Sequence, residues 1–209
     1  MSQAELAVNF FVALFALIDP IGNVPVFAAA TVGAQPRARR LVALYIGLFS
    51  AILMMAVYFS GLAVLDFFGI SLPAFRIAGG LLLFSIASEM VFGVRIERQT
   101  QQAEEALEER VRNIAAFPLA VPLMAGPGAI TATVLLSGRV DHDPARIAFL
   151  LAVIVAVCAI SCLCFLAATQ IAKVIGHTGN TVQQRLLGVV LAALAVQYVI
   201  DGGRAALGH

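Results

Sequence analysis

Apolar residues in this chain fall in long uninterrupted runs, neither alternating nor confined to one helical stripe, and the polar residues collect between the runs. Bounded by charge and by Pro or Gly, the runs predict helices over residues 5–33, 40–65, 73–94, 114–138, 145–172 and 183–203. Each can supply the roughly 20 mostly apolar residues that a helix needs to cross a hydrocarbon core. The expected fold class is therefore an all-α membrane protein with six transmembrane helices, one domain filling residues 1–209.

Composition agrees: 61% of residues are hydrophobic and 12% charged, against about 25% charged in a soluble domain. The stretch Met1 to Asn9 carries Glu5 and no Lys or Arg, so it lacks the positive region of a cleaved signal peptide and is expected to stay in place. A net charge of +1 gives no reason to expect nucleic acid as a partner. Cys158, Cys162 and Cys164 share one apolar run with no His or carboxylate at ligand spacing, so they read as small packing residues and no metal or cofactor is expected.

Basic residues are distributed unequally. Arg37, Arg39 and Arg40 lie in the first connection, Arg95, Arg98, Arg110 and Arg112 in the third, and Lys173 and Arg185 flank the fifth, nine against the four of Arg76, Arg139, Arg146 and Arg204. The positive-inside rule then makes connections one, three and five cytoplasmic and leaves both termini outside the cytoplasm. Residues 95–113, rich in Glu and Arg, read as a solvated cytoplasmic link between two halves, 1–94 and 114–209.

The halves echo each other. Pro20 and Gly22 correspond to Pro127 and Gly128, Arg39 to Arg146, Gly69 to Gly176, and Arg76, Gly79 and Gly93 to Arg185, Gly188 and Gly202, the last three at a separation of 109. Three helices per half is an odd number, so the second half must enter the membrane from the opposite side. Such inverted repeats recur in secondary transporters, with the site near the midplane.

Each half carries one interruption. The first run, as an unbroken helix of 1.5 Å per residue, would be about 43 Å long, more than a core of roughly 30 Å. At its centre stands Asp19-Pro20-Ile21-Gly22-Asn23-Val24-Pro25, where two prolines remove backbone donors and Gly22 permits unusual dihedrals. The fourth run holds Pro118 and Pro122, then Gly126-Pro127-Gly128. Broken backbone at membrane depth must face protein or a wet cavity. The expected substrate-binding residues are Asp19, Pro20, Gly22, Asn23, Gly126, Pro127, Gly128 and Thr131, with Thr133 a further hydroxyl. Amides at half-helix starts suit a carboxylate; carbonyls at half-helix ends, or Asp19, suit an ammonium or a coupling ion, H+ or Na+. The alternative is a pair of ordinary Pro/Gly kinks, with Asp19 capping a helix end.

These segments carry a resemblance. Asp19 to Phe27 and Pro118 to Thr131 are similar to the two signature segments of the MarC family of bacterial inner-membrane proteins, which includes small neutral amino acid transporters of the SnatA type. The resemblance spans essentially the whole chain. It implies six helices, the bacterial inner membrane, and a small neutral amino acid such as glycine or alanine as substrate. Beyond the substrate, membrane lipid is the expected partner, and a homo-oligomer is compatible with the chain.

Other polar residues read more plainly: Arg76 and Arg185 as interface anchors, Glu89 as an interfacial acid, Gln197, Tyr198 and Asp201 at the outer end of the last helix, and Asp141-His142-Asp143 as an exposed turn. No HExxH helix, GxSxG turn or central Cys/His pair suggests an enzyme. A passive channel and a non-transporting scaffold are the rival readings.

Overall fold

The computed structural model describes residues 3–31, 33–95, 98, 101, 124–138 and 143–208, with backbone alone at 3–7, 29 and 172–178. Among these residues the chain is helical throughout: α1 Gln3–Ile18, α2 Val24–Ala30, α3 Pro36–Phe67, α4 Leu72–Phe92, α5 Pro127–Ser137, α6 Pro144–Leu166 and α7 Ala168–Ala206. Proline sets many of the boundaries. Pro25, Pro36, Pro73, Pro127 and Pro144 each fall at the first or second position of a helix, where the missing N–H would have had no intrahelical acceptor. Pro25, expected to help break the first run, instead starts its second half.

Four helices are long and apolar enough to cross a membrane: Pro36–Phe67, Leu72–Phe92, Pro144–Leu166 and Gly179–Ala206. Their outer faces carry Leu41, Leu48, Ile52 and Phe59 on α3, Leu81 and Phe84 on α4, Leu163 on α6 and Leu186 and Val189 on α7, all exposed. In water such a surface would drive aggregation; against lipid tails it costs nothing. The shorter apolar helices differ. In α5, Gly128 and Ala129 and all of 131–137 are buried, and in α1 Phe10, Leu14, Leu17 and Ile18 are buried. Among the described residues, α1 and α5 therefore form the centre, and the four long helices the wall.

The wall is built from pairs. α4 packs most extensively on α7, and α3 on α6. A Cβ on Gly80 would stand 2.7 Å from the Ala195 carbonyl oxygen and 2.7 Å from Val199, while one on Gly188 would stand 3.1 Å from the Ala87 carbonyl oxygen and 3.0 Å from Val91. These contacts are reciprocal: Gly80, Ala87 and Val91 are each 108 positions before Gly188, Ala195 and Val199. Gly202 meets the Pro73 carbonyl, so the pair runs antiparallel. The separation of 109 read from the sequence is thus one residue out in this interface. Gly79, paired with Gly188 by that register, turns instead to Thr131 and Leu135 of α5; one residue is about 100° of helix rotation.

A second correction concerns the end of the chain. The expected connection at 173–182 is absent: α6 stops at Leu166, Ala167 is the joint, and α7 runs unbroken for 39 residues. Glycine costs a helix only about 1 kcal/mol against alanine, so the polar, Gly-containing stretch 176–180 does not end it. The joint is held from both sides, Phe165 stacking on Phe27 at 4.7 Å between ring centroids and Arg39 donating to the Thr169 hydroxyl at 2.9 Å.

Candidate functional site

The first interruption is a tight turn over residues 19–23. Asp19 has φ 47°, the only positive φ outside glycine among the described residues. Asp is among the few residue types that visit this left-handed region, because its short polar side chain can bond locally. It does so here: Oδ1 accepts from the Gly22 amide at 3.0 Å, and the Asp19 carbonyl accepts from the Asn23 amide at 3.0 Å. Asn23 stands just before α2, and its Nδ2 donates back to the Ile18 carbonyl at 2.6 Å. One side chain thereby closes the end of α1 at the start of α2.

Arg95 completes the turn. Gly93 ends α4 in the left-handed conformation, φ 84°, and the chain folds back to carry Arg95 inward. Its Nη2 donates to the Leu17 carbonyl at 2.8 Å, and the residue is 7% exposed. Burying an arginine requires compensating charge; Asp19, entirely buried, is close enough to supply it. From α7, Gln183 donates to Asp19 Oδ1 at 3.2 Å. A Cβ on Gly22 would collide with Asp19 Oδ2 and Gln184 Nε2, which sets those two atoms side by side above the glycine.

Not every polar atom here is engaged. Asp19 Oδ2, Arg95 Nη1, both amide atoms of fully buried Gln184, and Oδ1 of Asn180 one turn earlier on α7 are buried without a hydrogen-bond partner. Buried polar groups in native proteins are nearly always paired. A concentration of exceptions beside a helix break is the pattern expected of a place that receives a ligand.

The second interruption is built differently. Gly126 precedes α5 with no side-chain cap, and Pro127 occupies the first turn. Gly126 is half-buried and Pro127 exposed, whereas Gly128 is buried. A Cβ on Gly128 would lie 2.7 Å from Ile86 and 2.8 Å from Leu17. The two interruptions therefore meet, Gly128 lying on the residue whose carbonyl Arg95 holds. Pro118 and Pro122 lie outside the described residues.

Of the expected residues, Asp19, Pro20, Gly22 and Asn23 form one buried turn, and Gly128 touches its flank. Thr131 points its methyl at Gly79, and Thr133 donates to the Ala129 carbonyl at 2.8 Å. At the first break the Leu17 and Ile18 carbonyls accept from Arg95 and Asn23, and the Gly22, Asn23 and Val24 amides donate within the turn. Arg95, counted with the solvated link, belongs to the site, as do Gln183 and Gln184. The available signal was an arginine only two residues after the glycine that ends an apolar run, and a Gln pair opening another.

The remaining polar residues serve the surface. Glu89 pairs with Arg98 at 2.7 Å, Gln197 donates to Asp201 at 2.7 Å, and Asp143 caps α6 by accepting from the Ala145 amide at 3.0 Å. Asp141 and His142 lie outside the described residues. Cys162 donates to the Ala43 carbonyl at 3.6 Å in the α3–α6 contact.

A chain of apolar helices with lipid-ready faces around a buried, broken centre defines an integral, multi-pass membrane protein. It belongs to the MarC family: the family described as MarC family integral membrane protein matches residues 4–207. It is 37% identical over 198 residues to the UPF0056 membrane protein YhcE of Escherichia coli, covering 93% of this chain and 90% of that one. It is 36% identical over 200 residues to the UPF0056 membrane protein MJ1677 of Methanocaldococcus jannaschii, covering 94% and 95%, and 33% identical over 199 residues to the UPF0056 membrane protein BU267 of Buchnera aphidicola, covering 95% and 92%. No solved structure matches the chain.

Proposed function

We propose that this protein is a secondary transporter of small neutral amino acids, working by alternating access around its two interrupted segments in the bacterial inner membrane. The observation that carries the reading is the cluster of unpaired buried polar atoms, Asp19 Oδ2, Arg95 Nη1 and the Gln184 amide, where the α1 break meets Gly128. A zwitterion offers an ammonium to the carboxylate and a carboxylate to the guanidinium and amide. Both partners are too deep to serve as surface charges.

The six-helix arrangement belongs to the same proposal: two inverted repeats of three spans, the first broken at 19–23 and the fourth at 125–126, with both termini outside the cytoplasm. The antiparallel, reciprocal packing of α4 and α7 supports it, since a two-fold axis in the membrane plane sets equivalent helices against each other head to tail. Alternating access then moves one repeat against the other about that axis. The wide lipid-facing surface of the long helices allows the motion without exposing apolar groups to water.

Proteoliposomes test the reading. Purified protein loaded with unlabelled glycine or alanine should accumulate the labelled amino acid transiently, in counterflow, and substituting Asp19 should abolish it. A carrier shows this and a pore does not. Equilibration without counterflow would replace the carrier with a channel; no flux and no ligand-induced rise in melting temperature would leave a scaffold. Repeating the assay with imposed H+ and Na+ gradients identifies the coupling ion.

A further inference from the structure

The end of the bundle where α2 passes to α3 and α6 to α7 is shut by four side chains, one from each of these helices. Phe27 of α2 and Phe165 of α6 are both buried and stack with ring centroids 4.7 Å apart and planes 8° from parallel. The Arg39 guanidinium, from the first turn of α3, lies 5.7 Å from the centre of the Phe27 ring and donates through Nη1 to the Thr169 hydroxyl, in the first turn of α7, at 2.9 Å. This layer is one helical turn from the first break, since the Phe27 amide donates to the Asn23 carbonyl.

Two features separate the layer from ordinary core. Its polar member is incompletely satisfied: Arg39 Nε and Nη2 are buried without a hydrogen-bond partner, so one hydrogen bond and a ring face hold a group that carries five N–H donors. Parting the layer rehydrates those donors, which offsets the lost stacking. The second feature lies behind the layer. On α7, between Thr169 and the Gln183 that bonds Asp19, stands Asn180, buried and with Oδ1 unpartnered; one turn further is Gln184, fully buried, with both amide atoms unpartnered. Buried polar atoms need a partner from protein or water. A passage that takes up water when the layer parts supplies one.

We propose that Phe27, Phe165, Arg39 and Thr169 form the gate through which the substrate passes at this end of the protein, and that Asn180 lines the passage behind it. The proposal rests on the transport reading and adds to it the residues that open and close, none of which belongs to the interrupted turn. Chain connectivity couples gate to site: α2 starts at the break, so a shift of residues 19–23 is carried to Phe27 one turn on. Both closing contacts join the two halves of the chain, α2 to α6 and α3 to α7, so movement of one half against the other parts them together.

The test places a reporter behind the gate. In the full-length chain in nanodiscs, with Cys158, Cys162 and Cys164 replaced by alanine, Asn180→Cys is reacted with a charged maleimide, and melting temperature reports the fold. Labelling should be slow while the layer is intact. Thr169→Val, at an exposed position, and Arg39→Gln should each speed it roughly tenfold, the effect of losing one hydrogen bond to a charged group. Thr169→Asp should act in the opposite direction: an ion pair replaces the hydroxyl contact and slows labelling by roughly threefold or more. With Asn180 intact, the same substitution should slow glycine counterflow in proteoliposomes. A loss of packing alone has no variant that slows both. Fast labelling behind the intact layer, or a rate indifferent to all three substitutions, overturns the gate whatever the transport result. Arg39→Gln failing to fold leaves the two Thr169 variants to decide. Absence of counterflow in the wild type overturns the amino acid transport reading separately, and labelling that still follows the three substitutions then supports the layer as the gate of a passage for another solute.

Discussion

The two interruptions carry similar Pro/Gly punctuation, yet they are made of different material. The first is dense in side-chain chemistry: Asp19, Asn23 and, from α4's end, Arg95 close the backbone groups that the break opens. The second has no side-chain cap, and its Gly128 is pressed between Leu17, Ile86 and Leu83. Similar punctuation in the sequence thus yields a polar turn in one half and a close-packed glycine in the other. A helix can be broken for chemistry or for clearance, and a Pro/Gly pattern does not say which. Here the first break brings the charge and the second lets the central segments approach closely enough to bury it.

That contrast can be broken experimentally. The largest effect is expected from Gly128→Leu, since the Cβ alone falls within 2.8 Å of two side chains; overpacking typically costs about 1–3 kcal/mol, and a full leucine should leave little monodisperse protein on size-exclusion chromatography. A normal elution profile and melting temperature would show that the second break has room to spare. Next comes Asp19→Asn, expected to fold but to lose glycine affinity by roughly tenfold or more, because Arg95 loses its counter-charge in a buried setting; calorimetry reads this directly. Asn23→Ala should act on stability more than on binding. It strips the Ile18 carbonyl of its partner, and a buried orphan acceptor costs about 1–3 kcal/mol, visible as a lower melting temperature. The smallest effect is expected from Thr131→Val, because the methyl and not the hydroxyl meets Gly79. Ligand affinity should not change measurably, and a clear loss would mean that the second break contributes polar recognition after all.

Much of the fold was legible because lipid imposes a coarse rule on sequence. Only long apolar runs can face hydrocarbon, and four of the predicted runs appear as helices long enough to span it. The break at Asp19-Pro20 was legible for a related reason, since the run is too long for the membrane and contains residues that cannot continue a helix. Gly and polar residues between the last two runs misled in the opposite direction. They read as a connection, but no proline interrupts 168–206, and isolated glycines weaken a helix without ending it. The ordered matches between Arg76, Gly79 and Gly93 and Arg185, Gly188 and Gly202 were visible in the sequence, while the pairing in the α4–α7 contact depended on a rotation that letters alone do not fix.

The sequence by itself determined the solvent of this protein, the approximate length and number of its apolar segments, and the places where two of them must break, because those follow from local composition, proline geometry and chain length. Only the tertiary structure decided which groups share the centre. Asp19 lies 76 positions from Arg95 and 165 from Gln184, and nothing local at any of the three positions specifies the other two. Their meeting depends on a reversal at Gly93 and on the face that α7 turns inward, both settled by how the long helices pack around the two short ones.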